Sequence, residues 1–194
     1  MASWRWCHRP LWVGLAALVV VAVFASLFTF GPLGPAARQQ RLQNKAVALY
    51  TAMMTDWVKD EPNTWTAGAP TPEWYDEYLV DPAWGGQMAA HSRLSGDGAS
   101  VTSVGAPYFT VTKWAALADA NHTDALVGLT VCWVQGNLVT RTVFPQQPAT
   151  GPGPTGHVAQ VFFKNSRGKD GSRSALRIYD IKDVTPDAGS CPLG

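Results

Sequence analysis

Residues Leu11 to Phe30 (LWVGLAALVVVAVFASLFTF) form a run of twenty without a charge, and Gly31-Pro32-Leu33-Gly34-Pro35 ends it at once. At about 1.5 Å of rise per residue, a helix of that length just crosses the roughly 30 Å hydrocarbon core of a bilayer. The glycines and prolines that follow cannot continue it. Everything beyond is mixed and polar enough to fold in water. The run therefore predicts a short cytoplasmic segment at 1–10, a transmembrane helix at 11–30, a linker at 31–37 and a folded domain at 38–194.

A cleaved signal peptide is the rival reading, with a small-residue site at Pro35-Ala36-Ala37. The apolar core of a signal peptide is usually about 7–15 residues, and this run is longer. No cysteine follows directly, which argues against a lipoprotein. Trp4, Trp6 and Trp12 stand at the leading end, where indoles favour the headgroup layer.

Charge does not orient the anchor. Arg5 and Arg9 lie on one side, and Arg38, Arg41 and Lys45 on the other, so the positive-inside rule comes close to a tie. Cysteine usage breaks it. Cys7 precedes the run, whereas Cys132 and Cys191 both follow it. One sits in an apolar strand segment and the other near the tail, a distribution that suits a disulfide in an oxidising compartment. Two unrelated buried thiols are the alternative. The expectation is an amino terminus inside and a domain on the extracytoplasmic face of the cell membrane.

All fourteen acidic residues and thirteen of the fifteen basic ones lie beyond the run, leaving that part with a net charge near minus one. A nucleic-acid partner would call for a basic patch, and none is visible. Scarce lysine beside plentiful Ala, Gly, Val, Thr and Trp suits a GC-rich bacterial genome such as an actinobacterium's.

The periodicity beyond the linker changes once. From Ala37 to Asp60, Leu42, Ala46, Tyr50, Met53 and Trp57 recur at steps of three or four and predict an amphipathic helix that packs on a sheet. Self-association through that stripe is the minority reading. Pro62 predicts its end near Asp60-Glu61. Thr71-Pro72-Glu73 reads as the start of a short helix, and Asp81-Pro82 as a second turn. From Ser100 the segments Val101–Val104, Tyr108–Val111, Ala125–Val143, Val158–Lys164 and Ala175–Val184 are rich in Val, Thr and aromatics and predict strands. Gly136-Asn137 predicts a turn or bulge, Phe144–His157 a Pro/Gly loop, and Ser166–Ser174 a hairpin turn.

The fold class is thus α+β, a few helices followed by an antiparallel sheet of about four strands. That order, behind a single-pass anchor, resembles the cone-shaped nuclear-transport-factor-2-like (cystatin-like) superfamily, whose helices pack into a curved sheet. Two anchored bacterial groups are similar: the bridging subunits of type IV secretion and conjugation machines, and the mammalian-cell-entry-associated membrane proteins of actinobacteria. The resemblance implies a non-enzymatic part of an envelope assembly, with the bilayer and other envelope membrane proteins as partners and no cofactor. Type IV pilins do not fit, because Phe28-Thr29-Phe30 lacks their glutamate and the Gly-Pro linker interrupts the helix.

The chain has no Gly-x-Ser-x-Gly elbow and no phosphate-binding glycine loop. His91, His122 and His157 are too far apart in sequence to suggest a metal site and read as loop histidines. Glu73, Asp76, Glu77 and Asp81 read as a solvated helix face. Superfamily enzymes of the cone shape use an inward Asp–His pair; His157 and Asp180 could meet that way, though nothing requires it. Neither catalytic nor metal-ligating residues are expected. The candidate contact residues are aromatic: Trp65, Trp74, Tyr75, Tyr78 and Trp84, either core or a surface for a partner protein or a glycan; the alternative to an assembly subunit is an extracytoplasmic binding module that holds a lipid or glycan in the cone pocket or on this cluster.

Overall fold

A computed structural model describes residues 34–64, 72–96, 100–141, 153–167 and 174–184. The apolar run, the linker up to Leu33, Trp65 and Cys191 lie outside the described residues. No helix among the described residues is long and apolar enough to cross a membrane. The chain divides into two compact units, Met1–Asn44 and Lys45–Gly194. What is described of the first is Gly34 and the opening turns of one helix; the rest belongs to the second.

The architecture is α+β. Helix α1 (Pro35–Thr64), a single-turn α2 (Trp74–Tyr78) and α3 (Ala83–Gly96) precede strands β1 (Ser100–Leu117), β2 (Val127–Arg141), β3 (Thr155–Ser166) and β4 (Ala175–Val184). The strands pair in sequence order as one antiparallel meander, β1-β2-β3-β4.

Apolar spacing places the helix but shifts its face by one position. Ala46, Tyr50, Met53, Met54 and Val58 are buried, whereas Trp57 is only half-buried. Val58 packs with Val101 of β1 and Leu138 of β2, and Trp57 and Phe109 lie against that group. The Tyr50 ring meets Phe109 edge-on at 6.0 Å. The helix also runs past the stop expected at Asp60. Its last turns are held from outside, since Tyr78 donates to Asp56 Oδ2 at 2.8 Å and the Trp74 indole N–H donates to Asp60 Oδ2 at 2.8 Å. A local proline signal knows nothing of those tertiary bonds.

Directly paired residues of an antiparallel ladder point to the same face. Val127, Leu129, Val131 and Trp133 therefore share a face with their partners Phe163, Val161, Ala159 and His157. This is the α1 side, since Phe109 links Tyr50 of the helix to Trp133. Gly128, Cys132, Val158 and Phe162 point to the far side. Cys132, Val158 and Phe162 are also buried. Both faces of β2 and β3 are thus lined by buried residues, which explains why these strands read as unbroken apolar runs rather than alternating ones.

The two segments read separately in β1 are one strand, broken in register between Ser103 and Tyr108 and again between Val111 and Lys113. Gly105 at φ +90° and Asn137 at φ +66° absorb the first break, and Asn137 Nδ2 donates to Ala106 O across it at 2.8 Å. The extra residues are on β1, where Val104 to Pro107 stand against Asn137 alone, so the bulge expected at Gly136-Asn137 lies on the strand opposite it. At Gly128 a Cβ would lie 2.5 Å from the Leu117 carbonyl and 3.2 Å from the Phe162 ring, so only glycine lets that ring settle over the strand. At the other edge, Leu79 bridges Ile178 and the Val80 N–H donates to Ile178 O at 2.9 Å, so the chain between α2 and α3 covers part of β4. Residue Arg177, buried, donates through Nη1 to the Asp76 carbonyl and ties α2 to the same strand.

Candidate functional site

Three groups of chemistry-bearing side chains emerge, and their geometry separates them. The first is the aromatic cluster. Tyr75 and Tyr78 are buried, Trp74 packs edge-on against Tyr75 at 4.3 Å and tilted against Tyr78 at 6.3 Å, and Trp84 is half-buried. The polar tips of Trp74 and Tyr78 are spent on Asp60 and Asp56. Burial, then the hydrogen bond and the charge of Asp56, push the Tyr78 hydroxyl up to about 12. Trp74 and Tyr78 clamp α2 onto α1, and Tyr75 and Tyr78 belong to the core. The carboxylates Glu73, Asp76, Glu77 and Asp81 are exposed, as a solvated face should be.

The second group sits on the far side of the sheet. In the segment joining β1 to β2, the His122 ring lies flat on Phe162, with centroids 3.6 Å apart and planes within 4°. Its Nδ1 is 2.9 Å from Asp119 Oδ2, and its Nε2 is 2.7 Å from Asp180 Oδ2 on β4. The Lys182 ammonium stands 3.8 Å and 4.0 Å from the same two carboxylates. Each ring nitrogen thus faces a carboxylate oxygen within hydrogen-bond distance. The backbone N–H of Asn121 and then the His122 ring hold the Asp119 carboxyl below its usual range. A histidine saturated at both nitrogens has no free position for acid–base work. The group is a lock that fastens the β1–β2 connection to β4.

The Asp–His pair considered for the sequence does not form. Asp180 is the ladder partner of Phe162, and His157 is the ladder partner of Trp133, so the two side chains leave opposite faces of the sheet. Asp180 meets His122 instead. An Asp119-x-x-His122 spacing was available as a local signal; the second carboxylate, 58 residues away, was not.

The third group lies at the Trp133 end of the α1 side and is the candidate site. Trp133 and His157 stack at 4.3 Å, and Phe109 leans on Trp133 at 5.3 Å. Gln135 follows on the same face, opposite Phe109 and Thr155. Among the described residues three buried polar atoms here lack a hydrogen-bond partner: Trp133 Nε1, Gln135 Oε1 and His157 Nε2. The Trp133 indole lies near the Tyr50 hydroxyl and opposes part of the effect of burial on it. Burial, reinforced by Asp183, drives the Tyr50 hydroxyl well above the ordinary tyrosine range. Burial also holds His157 below the usual histidine range, while Asp183 pulls it partly back. Buried polar atoms in native structures are nearly always satisfied by protein, water or a ligand, so three orphans in one place mark a site.

One prediction follows from His157. A histidine with a depressed folded value is neutral in the fold while its unfolded counterpart, near 6.5, takes up a proton. Its stabilising contribution is therefore complete above about pH 6.5 and is lost as pH falls towards the folded value. The slope of stability against pH below pH 6.5 is expected to be at most about 1.4 kcal/mol per pH unit for this one proton. Thermal unfolding at pH 7.5 and 5.5 checks it, with His157→Phe, which keeps a ring on Trp133, showing the smaller loss.

Cys132 on β2 is buried and disulfide-bonded. Cys191, the partner expected for it, lies outside the described residues. Among the described residues no group of three or more His, Cys, Asp or Glu is placed to hold a metal ion.

No family model matches the chain, and neither does any curated protein sequence. Among solved structures, the intermembrane-space region of the chloroplast protein ARC6 is similar at a TM-score of 0.44 and 12% identity, over 75% of this chain and 96% of that one. At that level the likeness bears on neither family nor function.

Proposed function

We propose that the chain is a membrane-anchored, non-enzymatic subunit of a bacterial cell-envelope assembly whose extracytoplasmic α+β domain works by contacting other envelope membrane proteins. The observation that carries the reading is where the side chains are used. The aromatics and the carboxylates of α1 that could have served a site are bonded to each other. The most histidine-centred cluster is closed at both ring nitrogens.

What the fold leaves open is a strand. The longest one, β1, is a sheet edge paired only with β2 among the described residues, and Val104 and Tyr108 stand exposed on it. An edge strand of 18 residues is a template for strand addition. Pro107 and the two register breaks limit which partner can pair along it. The uncharged run at Leu11–Phe30 supports the anchor, and the Gly-Pro segment after it supports a tether between bilayer and domain. Secretion, conjugation and transport machines of the cone-shaped group remain the class of assembly this reading points to.

A photo-crosslinking residue at Val104 or Tyr108 in the full chain, expressed in its membrane, is the test. Crosslinks to other membrane proteins are expected from those positions, and none from buried Val131. If the edge positions yield only uncrosslinked protein, the assembly reading fails. A second reading, a module that holds a small ligand, is favoured by the orphaned polar atoms around Trp133.

A further inference from the structure

The orphaned atoms at the Trp133 end of the sheet have a common chemistry. Among the described residues Gln135 Oε1 is an acceptor with nothing to accept from, and His157 Nε2 has no partner. The Asp183 carboxylate, exposed at the end of β4, makes no hydrogen bond or ion pair among the described residues, yet it acts electrostatically on both Tyr50 and His157. Around these acceptors stand π faces: Phe109 and Trp133, with Tyr50 edge-on to Phe109. An orphaned amide oxygen, an unpaired carboxylate on the same sheet face and aromatic rings together select against anions and for a donor-rich cation, which gains from hydrogen bonds, charge and ring quadrupoles alike. The lock on the far side is excluded as a rival because both its carboxylates already face His122 and Lys182.

We propose that the end of the sheet formed by Phe109, Trp133, Gln135, His157 and Asp183 receives one cationic donor group, an ammonium or a guanidinium. Gln135 Oε1 accepts a hydrogen bond from it, His157 Nε2 accepts another in the tautomer that carries its proton on Nδ1, Asp183 balances its charge, and the indole and phenyl rings stand beside it. The inference deepens the contact reading above by assigning the chemistry of one partner group. The same chemistry is offered by an arginine or lysine side chain of a partner protein and by a free amine.

Full-length protein in nanodiscs, labelled with ¹⁵N at the tryptophan indoles and histidine rings, is titrated with N-acetyl-arginine methylamide, with putrescine, and with the neutral N-acetyl-citrulline methylamide. Saturable shifts of the Trp133 indole and His157 signals are expected with a cationic probe and not with the citrulline analogue. The stronger of the two cations identifies side chain or free amine as the source. Asp183→Asn, an exposed change that leaves the core untouched, is expected to weaken binding at least tenfold, and Gln135→Ala likewise. Absence of saturable shifts with both cations overturns the proposal, as does equal binding of the citrulline analogue or an Asp183→Asn variant that binds as the parent does. Crosslinking from β1 reads the assembly function independently. If crosslinks persist while the titration fails, this site falls and the contact reading stands.

Discussion

Replacing Cys191 with serine is expected to destabilise the domain by about 4 kcal/mol under oxidising conditions, the cost of reopening a loop of about 60 residues on the chain-entropy account. Cys132 is buried on the far face of β2 and disulfide-bonded. The chain offers it two partners only, Cys7 and Cys191, and Cys7 stands on the other side of the apolar run. We propose that the bond pairs Cys132 with Cys191. Denaturant unfolding with and without reductant measures it: the parent protein should lose stability on reduction, while Cys191→Ser and Cys132→Ser should start low and ignore the reductant. If Cys7→Ser behaves that way instead, the pairing is wrong. The outcome also bears on place. A bond that contributes this much and persists in cells belongs in an oxidising compartment, so bond formation in vivo puts the domain outside and the amino terminus inside.

How much of this could be read along the chain depends on how local each cause is. β4 was bounded correctly at Ala175–Val184 because a polar glycine-containing turn precedes it and its apolar pattern is its own. β1 was read as two pieces, since the glycine-proline stretch between them looks like a loop; it remains one strand because Asn137, on the neighbouring strand, closes the gap. The helix stripe was right at Ala46, Tyr50 and Met53 and slipped at Trp57, where Val58 takes the core position beside Val101 and Leu138. Trp74 and Tyr78 could be counted as aromatics, but that their polar atoms reach Asp60 and Asp56 follows only from how α2 lies on α1. The candidate site is the least legible of all. Trp133 and His157 are neighbours through ladder register, a long-range choice, and orphaned atoms are a property of packing that no local pattern encodes.

Phe162→Ala is expected to cost about 3–5 kcal/mol, the usual range for truncating a buried aromatic. The argument for the high end is that three things rest on this ring. It is almost fully buried over Gly128, where no Cβ fits beneath it. The His122 ring lies flat on it at 3.6 Å, and the Lys182 ammonium stands 5.5 Å from its centroid. Without that floor, His122 is no longer held between Asp119 and Asp180, so the β1–β2 connection loosens from β4. His122→Ala alone should cost less, about 1–3 kcal/mol, because it leaves the ring in place and strands two carboxylates that Lys182 still partly serves. The double variant should then cost clearly less than the two changes added, since Phe162→Ala has already spent most of what His122 contributes. Strict additivity in denaturant unfolding would show that stack and lock are independent. The acid limb gives a second reading of the same coupling. Asp119, with its folded value depressed, contributes stability above about pH 3.9 that is lost as pH falls through the folded value. Part of that depression comes from the Asn121 N–H and survives in Phe162→Ala; the part owed to His122 does not, so the variant's loss of stability below about pH 4 should be shallower than the parent's.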